Sequence, residues 1–228
     1  MRVLRTLRSL AGPIALTIGN FDGVHRGHQA MLLRLRERAA ELDLPPCVMT
    51  FEPHPREFFS PADAPARLTS LREKLELFAA LGVARTYVCR FNQRLATLPA
   101  EDFVKQNLRA ALSARWVLIG DDFRFGAKRQ GDLALLQRFA ANDFEVEAMT
   151  SVELEGMRVS STAVRSALAE GRLDRACHLL GRDYAITGRV VHGEKTGRKL
   201  GFPTANVQFK HNKPPLGGIF AVKLYGLE

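Results

Sequence analysis

Cysteine is scarce in this chain: Cys47, Cys89 and Cys177 are far apart and odd in number. No Cys-x-x-Cys occurs, which argues against a zinc site or a disulfide framework and points to a reducing compartment. Long apolar runs are missing as well, so no segment approaches the length that spans a bilayer. Met1 to Arg8 is basic and a short apolar run follows, but that run holds Gly12 and Pro13 and leads directly into an apparent first strand. Cleaving it as a signal peptide would destroy that strand. The expectation is a cytoplasmic protein without membrane contact. Both familiar phosphate-loop signatures are absent near the first strand, the Gly-x-x-x-x-Gly-Lys-Ser/Thr and the Gly-x-Gly-x-x-Gly. The net charge is +9, yet Lys and Arg are spread along the chain rather than massed in a block. That favours polyanionic ligands in general without indicating nucleic acid. No internal repeat or low-complexity tract occurs.

What is present is an ordinary globular composition, 46% apolar over 228 residues. It allows one large domain, or a medium domain plus a smaller piece. The apolar run Ile14–Gly19 reads as the first strand, and an amphipathic helix runs from His28 to about Leu42. Between them lies Gly19-Asn20-Phe21-Asp22-Gly23-Val24-His25-Arg26-Gly27-His28. A strand, a glycine-bearing turn and a helix N-terminus together hold phosphate well, because free N–H groups and the helix dipole point at the anion. Gly19, Gly23 and Gly27 remove side chains where backbone and ligand must come close. His25 and His28, three apart at the first helical turn, share one face and are suited to grip a phosphate during transfer.

Farther on, Cys47–Phe51 reads as a buried strand stopped by Glu52-Pro53-His54-Pro55, a loop held at the carboxyl end of a strand, where open α/β sheets keep ligands. His54 there is either a water-facing turn residue or a ligand contact. Phe58 and Phe59 follow in a polar, proline-rich loop, where exposed aromatics suit a flat ring ligand. Ser70-Leu71-Arg72-Glu73 has the form of a capping box opening a helix that Gly82 closes. A strand at Thr86–Cys89, a helix from Pro99 through Leu108, a strand at Trp116–Gly120, a helix over Gly131–Ala141 and a strand at Phe144–Ala148 continue the alternation. This predicts an α/β fold with a parallel sheet covered on both faces. Its carboxyl edge would gather 19–28, 51–59 and 120–126. In Arg158-Val159-Ser160-Ser161-Thr162-Ala163-Val164-Arg165, Ser160 or Ser161 can cap a further helix beside hydroxyls and arginines suited to the outer phosphates of a nucleotide. The plainer reading is a capped surface helix. Gly171–Leu180 forms a last short helix, ended by Gly181. The texture then turns glycine-rich, with strands expected at Tyr184–His192, Val207–Phe209 and Ile219–Leu224.

His25-Arg26-Gly27-His28 resembles the His-x-Gly-His signature of the nucleotidylyltransferase superfamily, and the longer stretch from Gly19 resembles bacterial bifunctional riboflavin kinase/FAD synthetases. Arg158–Arg165 is similar to that family's Arg-x-Ser-Ser-Thr-x-x-Arg motif, and Phe202-Pro203-Thr204-Ala205-Asn206 to the phosphate and magnesium motif of its second domain. The resemblance runs from about Ile14 to the end of the chain. It implies a Rossmann-like nucleotidylyltransferase domain over 1–182 and the start of a small β-barrel over 183–228. It also implies transfer of AMP from ATP to FMN, giving FAD and pyrophosphate, with Mg²⁺ accompanying ATP. On that analogy His25 and His28 meet the transferring phosphate. Gly19, Asn20, Phe21, Asp22, Gly27, Arg158, Ser161, Thr162 and Arg165 meet ATP. Phe51, Pro53, His54, Phe59, Asp122 and Phe125 lie on the flavin side, and Thr204 and Asn206 serve the kinase domain's ATP and Mg²⁺. Some relatives carry Asn at the position of Asp122. A carboxylate there would repel phosphate, although it could accept from FMN or help hold the metal. The family's kinase base is expected beyond Glu228, so riboflavin phosphorylation is not expected of these residues alone. A different small-molecule nucleotidylyltransferase, or a non-catalytic nucleotide- or RNA-binding module, are the alternatives.

Overall fold

The computed structural model describes residues 1–6, 12–140, 143–194, 201, 204–209 and 213–226. Six strands, β1 (Arg2–Leu4), β2 (Ile14–Ile18), β3 (Pro46–Glu52), β4 (Arg85–Arg90), β5 (Ala114–Gly120) and β6 (Glu145–Met149), form one sheet in the order β1-β4-β3-β2-β5-β6. Every pairing in it is parallel. β2 is buried along its whole length. Its side chains alternate between faces, as pleating requires: Ile14, Leu16 and Ile18 enter one apolar cluster and Ala15 the other.

The helices are α1 (Arg26–Glu41), α2 (Pro55–Phe59), α3 (Leu71–Ala80), α4 (Gln93–Ala96), α5 (Ala100–Asp102, running on as a π-type helix over Phe103–Ala111), α6 (Leu133–Ala140), α7 (Ser161–Ala169) and α8 (Leu173–Leu180). Leu32, Leu35 and Ala39 of α1 and Phe78 of α3 cover one face of the sheet, against Val48, Trp116 and Leu118. Phe103, Val104, Leu108 and Leu136 cover the other. A third cluster joins α7 to α8 through Val164, Leu168, Ala176 and Leu180. The chain leaves β2 for β3 on one side, whereas β5 lies on the other side of β2. A crevice therefore opens at the carboxyl ends of β2 and β5, the place where such sheets take ligands.

The capping box is formed as its spacing predicts. Ser70 Oγ accepts from Glu73 N at 3.2 Å, and Glu73 Oε2 accepts from Ser70 N at 2.6 Å. Several elements differ from expectation. Arg2–Leu4 adds a sixth strand at the sheet edge, too short and exposed to show alternation. Phe58 and Phe59 belong to α2, which Pro55 starts and His54 caps, rather than to a loop. Glu153–Leu154 (β7) and Met157–Arg158 (β8) pair as a small hairpin. The expected strand over Tyr184–His192 shrinks to β9 (Arg189–Val191), antiparallel to β10 (Asn206–Gln208). Ile219–Leu224 forms no strand; Ile219 and Val222 are exposed, with no neighbouring strand among the described residues to complete a ladder. Ala141, and Phe202 and Pro203 of the second motif, lie outside the described residues. Among the described residues no helix is long and apolar enough to cross a membrane.

Two leucines of α1 give a direct test of this packing. Leu35 is fully buried and Leu33 is 48% exposed. Urea unfolding is expected to show a loss of about 2–5 kcal/mol for Leu35→Ala and a change of about 0.5 kcal/mol or less for Leu33→Ala.

Candidate active site

The segment after β2 is folded tightly, with Phe21 at φ 50° and Val24 at φ 40°, both left-handed without being glycine. Gly23 takes φ 84°, and a Cβ there would stand 2.7 Å from Leu68 Cδ1. These turns aim the histidines. His25, buried, is the N-cap of α1, and its Nδ1 accepts from His28 N at 3.3 Å. The two imidazoles stack, with centroids 3.6 Å apart and planes 17° apart. Phe21 packs against His28 with ring centroids 5.0 Å apart. A Cβ at Gly27 would press on the His25 ring at 3.2 Å, so glycine leaves room for the stack. Burial, reinforced by Arg158, Arg165 and Arg182 and opposed by Asp22, pushes the pKa of His25 down from 6.5 to about 4. Burial, with His25 and Lys74 adding to it, holds His28 well below 6.5. Both rings are therefore neutral at pH 7, so they act as hydrogen-bonding groups rather than the cations that phosphate binding first suggests.

The loop is held from behind by side chains that, Ser161 apart, lie outside the cavity lining. Asp22, 4% exposed, accepts at Oδ1 from Leu68 N (3.0 Å), Thr69 N (3.2 Å) and Thr69 Oγ1 (3.3 Å), and pairs at Oδ2 with Arg165. Arg165 also donates to Ala66 O at 2.6 Å. Ser161 Oγ donates to Asp22 O at 2.8 Å, which ties the start of α7 to the loop. Arg182 donates to Gly23 O (2.7 Å) and Val24 O (3.2 Å), and Gln29 Nε2 donates to Val24 O (2.8 Å). Lys74 Nζ donates to Asn20 O at 2.7 Å.

A cavity of about 290 Å³ opens at the carboxyl edge of β2, β5 and β6. Of the residues expected to meet the nucleotide or flavin, Gly19, Phe21, His25, Gly27, His28, Asp122, Arg158 and Ser161 line it. Asp122 and Arg158 form an ion pair at 2.5 Å, and both side chains are half exposed. The carboxylate thus sits on the arginine expected to hold outer phosphates. Asn20 and Thr162 adjoin lining residues in sequence without lining the cavity themselves. Asp22 and Arg165, expected on ATP, are turned on each other, because a buried carboxylate keeps its charge only with donors and a cation around it. Phe125, expected on the flavin, is 7% exposed and packs between Phe103 and Phe123 in the core.

Phe51, Pro53, His54 and Phe59 lie off the cavity, at the end of β3 and on α2. Phe51, Phe58 and Phe59 meet Phe91 through edge contacts at 5.5–5.9 Å, and Phe59 is 64% exposed. His54 Nδ1 accepts from Arg56 N at 3.1 Å as the cap of α2. Thr204 and Asn206 are exposed. Sequence reasoning missed the wall formed by Met149, at the end of β6, and by Thr150, Ser151 and Val152 after it. Its position at the same carboxyl edge was the available signal. Lys74 and Arg182 carried no signal. Among the described residues no group of three or more His, Cys, Asp or Glu is placed to hold a metal ion.

The parallel sheet with helices on both faces is an α/β, nucleotidyltransferase-like fold, with the paired imidazoles at its switch point. The model of the FAD synthetase family matches residues 8–163, and that of riboflavin kinase matches 180–228. A bifunctional riboflavin kinase/FMN adenylyltransferase of Pseudomonas fluorescens is 52% identical over 98% of this chain and 72% of its own length. One of Escherichia coli is 46% identical over 100% and 74%. The chain belongs to the bifunctional riboflavin kinase/FMN adenylyltransferase family. A solved structure described as a macrolide-efflux protein from Streptococcus pneumoniae shares the fold, with TM-score 0.79 at 28% identity, covering 96% of this chain and 73% of that one. The riboflavin kinase match gives no support to the expectation that the kinase part is lacking.

The neutral imidazoles set a pH signature. The folded His25 value, about 4, lies below the unfolded 6.5, so between these the unfolded chain binds more protons. Stability is therefore retained above pH 6.5 and declines as pH falls toward 4. Imidazole NMR of the ligand-free protein is expected to show His25 half-protonated near pH 4. A midpoint near 6.5 would contradict this site.

Proposed function

We propose that the chain transfers the AMP moiety of ATP to FMN. An oxygen of the FMN phosphate attacks the α-phosphorus, the bond from that phosphorus to the bridging oxygen breaks, and pyrophosphate leaves. The attacking phosphate is already ionised at neutral pH, so no strong base is required. What the protein must supply is alignment and hydrogen bonds to the charge that develops in flight. The observation that carries this reading is the stacked His25–His28 pair at the N-terminus of α1, inside the switch-point cavity.

In this reading His25 and His28 donate to the transferring phosphate. Gly19 and Gly27 let the polyphosphate approach the backbone, and Arg158 with the start of α7 at Ser161 and Thr162 takes the outer phosphates. Asp122 then has to release Arg158 when ATP arrives. The Phe51–Phe59 edge, with Pro53 and His54, takes the flavin ring. Asp22 and Arg165 form the frame rather than the ligand contacts. The described residues do not make a resident metal site, so Mg²⁺ is assigned to ATP's own phosphates. We place the domain boundary between residues 182 and 183. The start of the riboflavin kinase match at residue 180 and the end of α8, capped by Gly181, lie close to it and support it. Thr204 and Asn206 are assigned to ATP and Mg²⁺ for riboflavin phosphorylation in the second segment.

With FMN, ATP and Mg²⁺, FAD formation followed by chromatography is expected. His28→Ala should lower the rate by about 10²–10³ while circular dichroism stays that of the parent. A folded variant at parental rate would remove His28 from the chemistry. Arg158→Ala should weaken ATP by about 1.5–3 kcal/mol and FMN little, as loss of one charge-assisted contact would. Equal weakening of both substrates would return α7 to a structural role.

A further inference from the structure

Lys74 is 4% exposed, among the most buried charged residues of those described. Its ammonium has one hydrogen-bond acceptor among the described residues, the carbonyl of Asn20, and no carboxylate within ion-pair distance. Asp22, Glu52 and Glu57 stabilise its charge from farther away, while Arg67 opposes it. Such a cation is a burden on the fold: removing it from water is unfavourable, and replacing a buried charge by an apolar side chain of similar size is often neutral or stabilising. Its presence at the back of the cavity calls for a reason other than stability.

The geometry points to that reason. Asn20 O receives Lys74 Nζ at 2.7 Å and Thr50 Oγ1 at 3.2 Å. The next residue is Phe21, whose left-handed backbone is unfavourable for a bulky side chain and persists only where its surroundings dictate it. That conformation lays the Phe21 ring on His28 at 5.0 Å and edge-on to Phe78 at 5.4 Å. The capping box at Ser70 and Glu73 sets the start of α3 and so fixes where Lys74 stands. Behind His28 the same charge opposes a second proton on the ring.

We propose that Lys74 is a positioning residue for adenylyl transfer, which pins the Asn20 carbonyl so that Phe21 holds His28 against the transferring phosphate. The proposal rests on the assignment of His28 to that phosphate. Lys74 lies outside the cavity lining and acts through the loop, not on the substrate.

The test compares Lys74→Met, which removes donor and charge, with Lys74→Gln, which keeps a donor. In the parent background, FAD formation from FMN and ATP establishes the reaction first; its absence would count against the reaction, not against Lys74. For Lys74→Met, kcat is expected to fall about 10²-fold, the scale of a small misplacement in a reacting site, with KM for ATP and FMN within about threefold. Lys74→Gln should recover part of the loss. The urea midpoint of Lys74→Met should equal or exceed the parent's, and NMR should show the His28 pKa moving upward. A purely packing role predicts the reverse: a lower midpoint, unchanged kcat per folded molecule and an unmoved His28. That pattern, or failure of both variants to fold, would overturn the proposal.

Discussion

The carboxylate of Asp22 is the knot on which the site depends. One buried group receives the backbone ahead of α3 at Leu68 and Thr69, the Thr69 hydroxyl and the guanidinium of Arg165 on α7. Two chain segments distant in sequence are thereby closed around the turn that follows β2. Breaking such a pair leaves an uncompensated charge in the interior, a loss on the order of 3–5 kcal/mol. The histidines, the start of α7 and the cavity between them take their relative places from this closure.

Once the loop is closed, electrostatics follow from burial. Arg165, Arg182 and Lys74 surround the loop from behind, and all three are spent largely on backbone carbonyls or on Asp22. Their field discourages protonation of His25 and His28 and makes the cavity receptive to a polyanion. The division of labour is thus between neutral donors at the front and fixed cations behind them. Arg158 is the exception: it is half exposed at the cavity and paired with Asp122.

Much of this was readable in the residues. A strand, three glycines and two histidines at helical spacing located the turn, and of the two serines able to cap α7 it is Ser160 that does so, accepting from Ala163 N at 3.1 Å. The parallel sheet followed from alternating apolar runs. Less accessible was the direction in which polar residues face. Asp22 and Arg165 stand inside phosphate-binding motifs yet bind each other, because spacing shows that residues are close without showing which one turns inward. Phe125 looked like a ring for a flavin, but Gly131 opens a slot for it in the core, where a Cβ would come within 2.7 Å of the ring. β1 escaped notice because three residues are too few to establish a period. Lys74 sits in an amphipathic helix where a lysine reads as surface, and only the packing of α3 against the loop shows otherwise.

The central claim is that the cavity moves an adenylyl group, and the fate of isotope in each phosphate tests it most directly. With FMN and ATP labelled at the α-phosphorus, the account predicts label in FAD, one equivalent per flavin, and unlabelled pyrophosphate. ATP labelled at the γ-phosphorus should leave its label in pyrophosphate and none in FAD. Label from the α-position that fails to enter flavin while FMN and ATP are both bound would contradict the account.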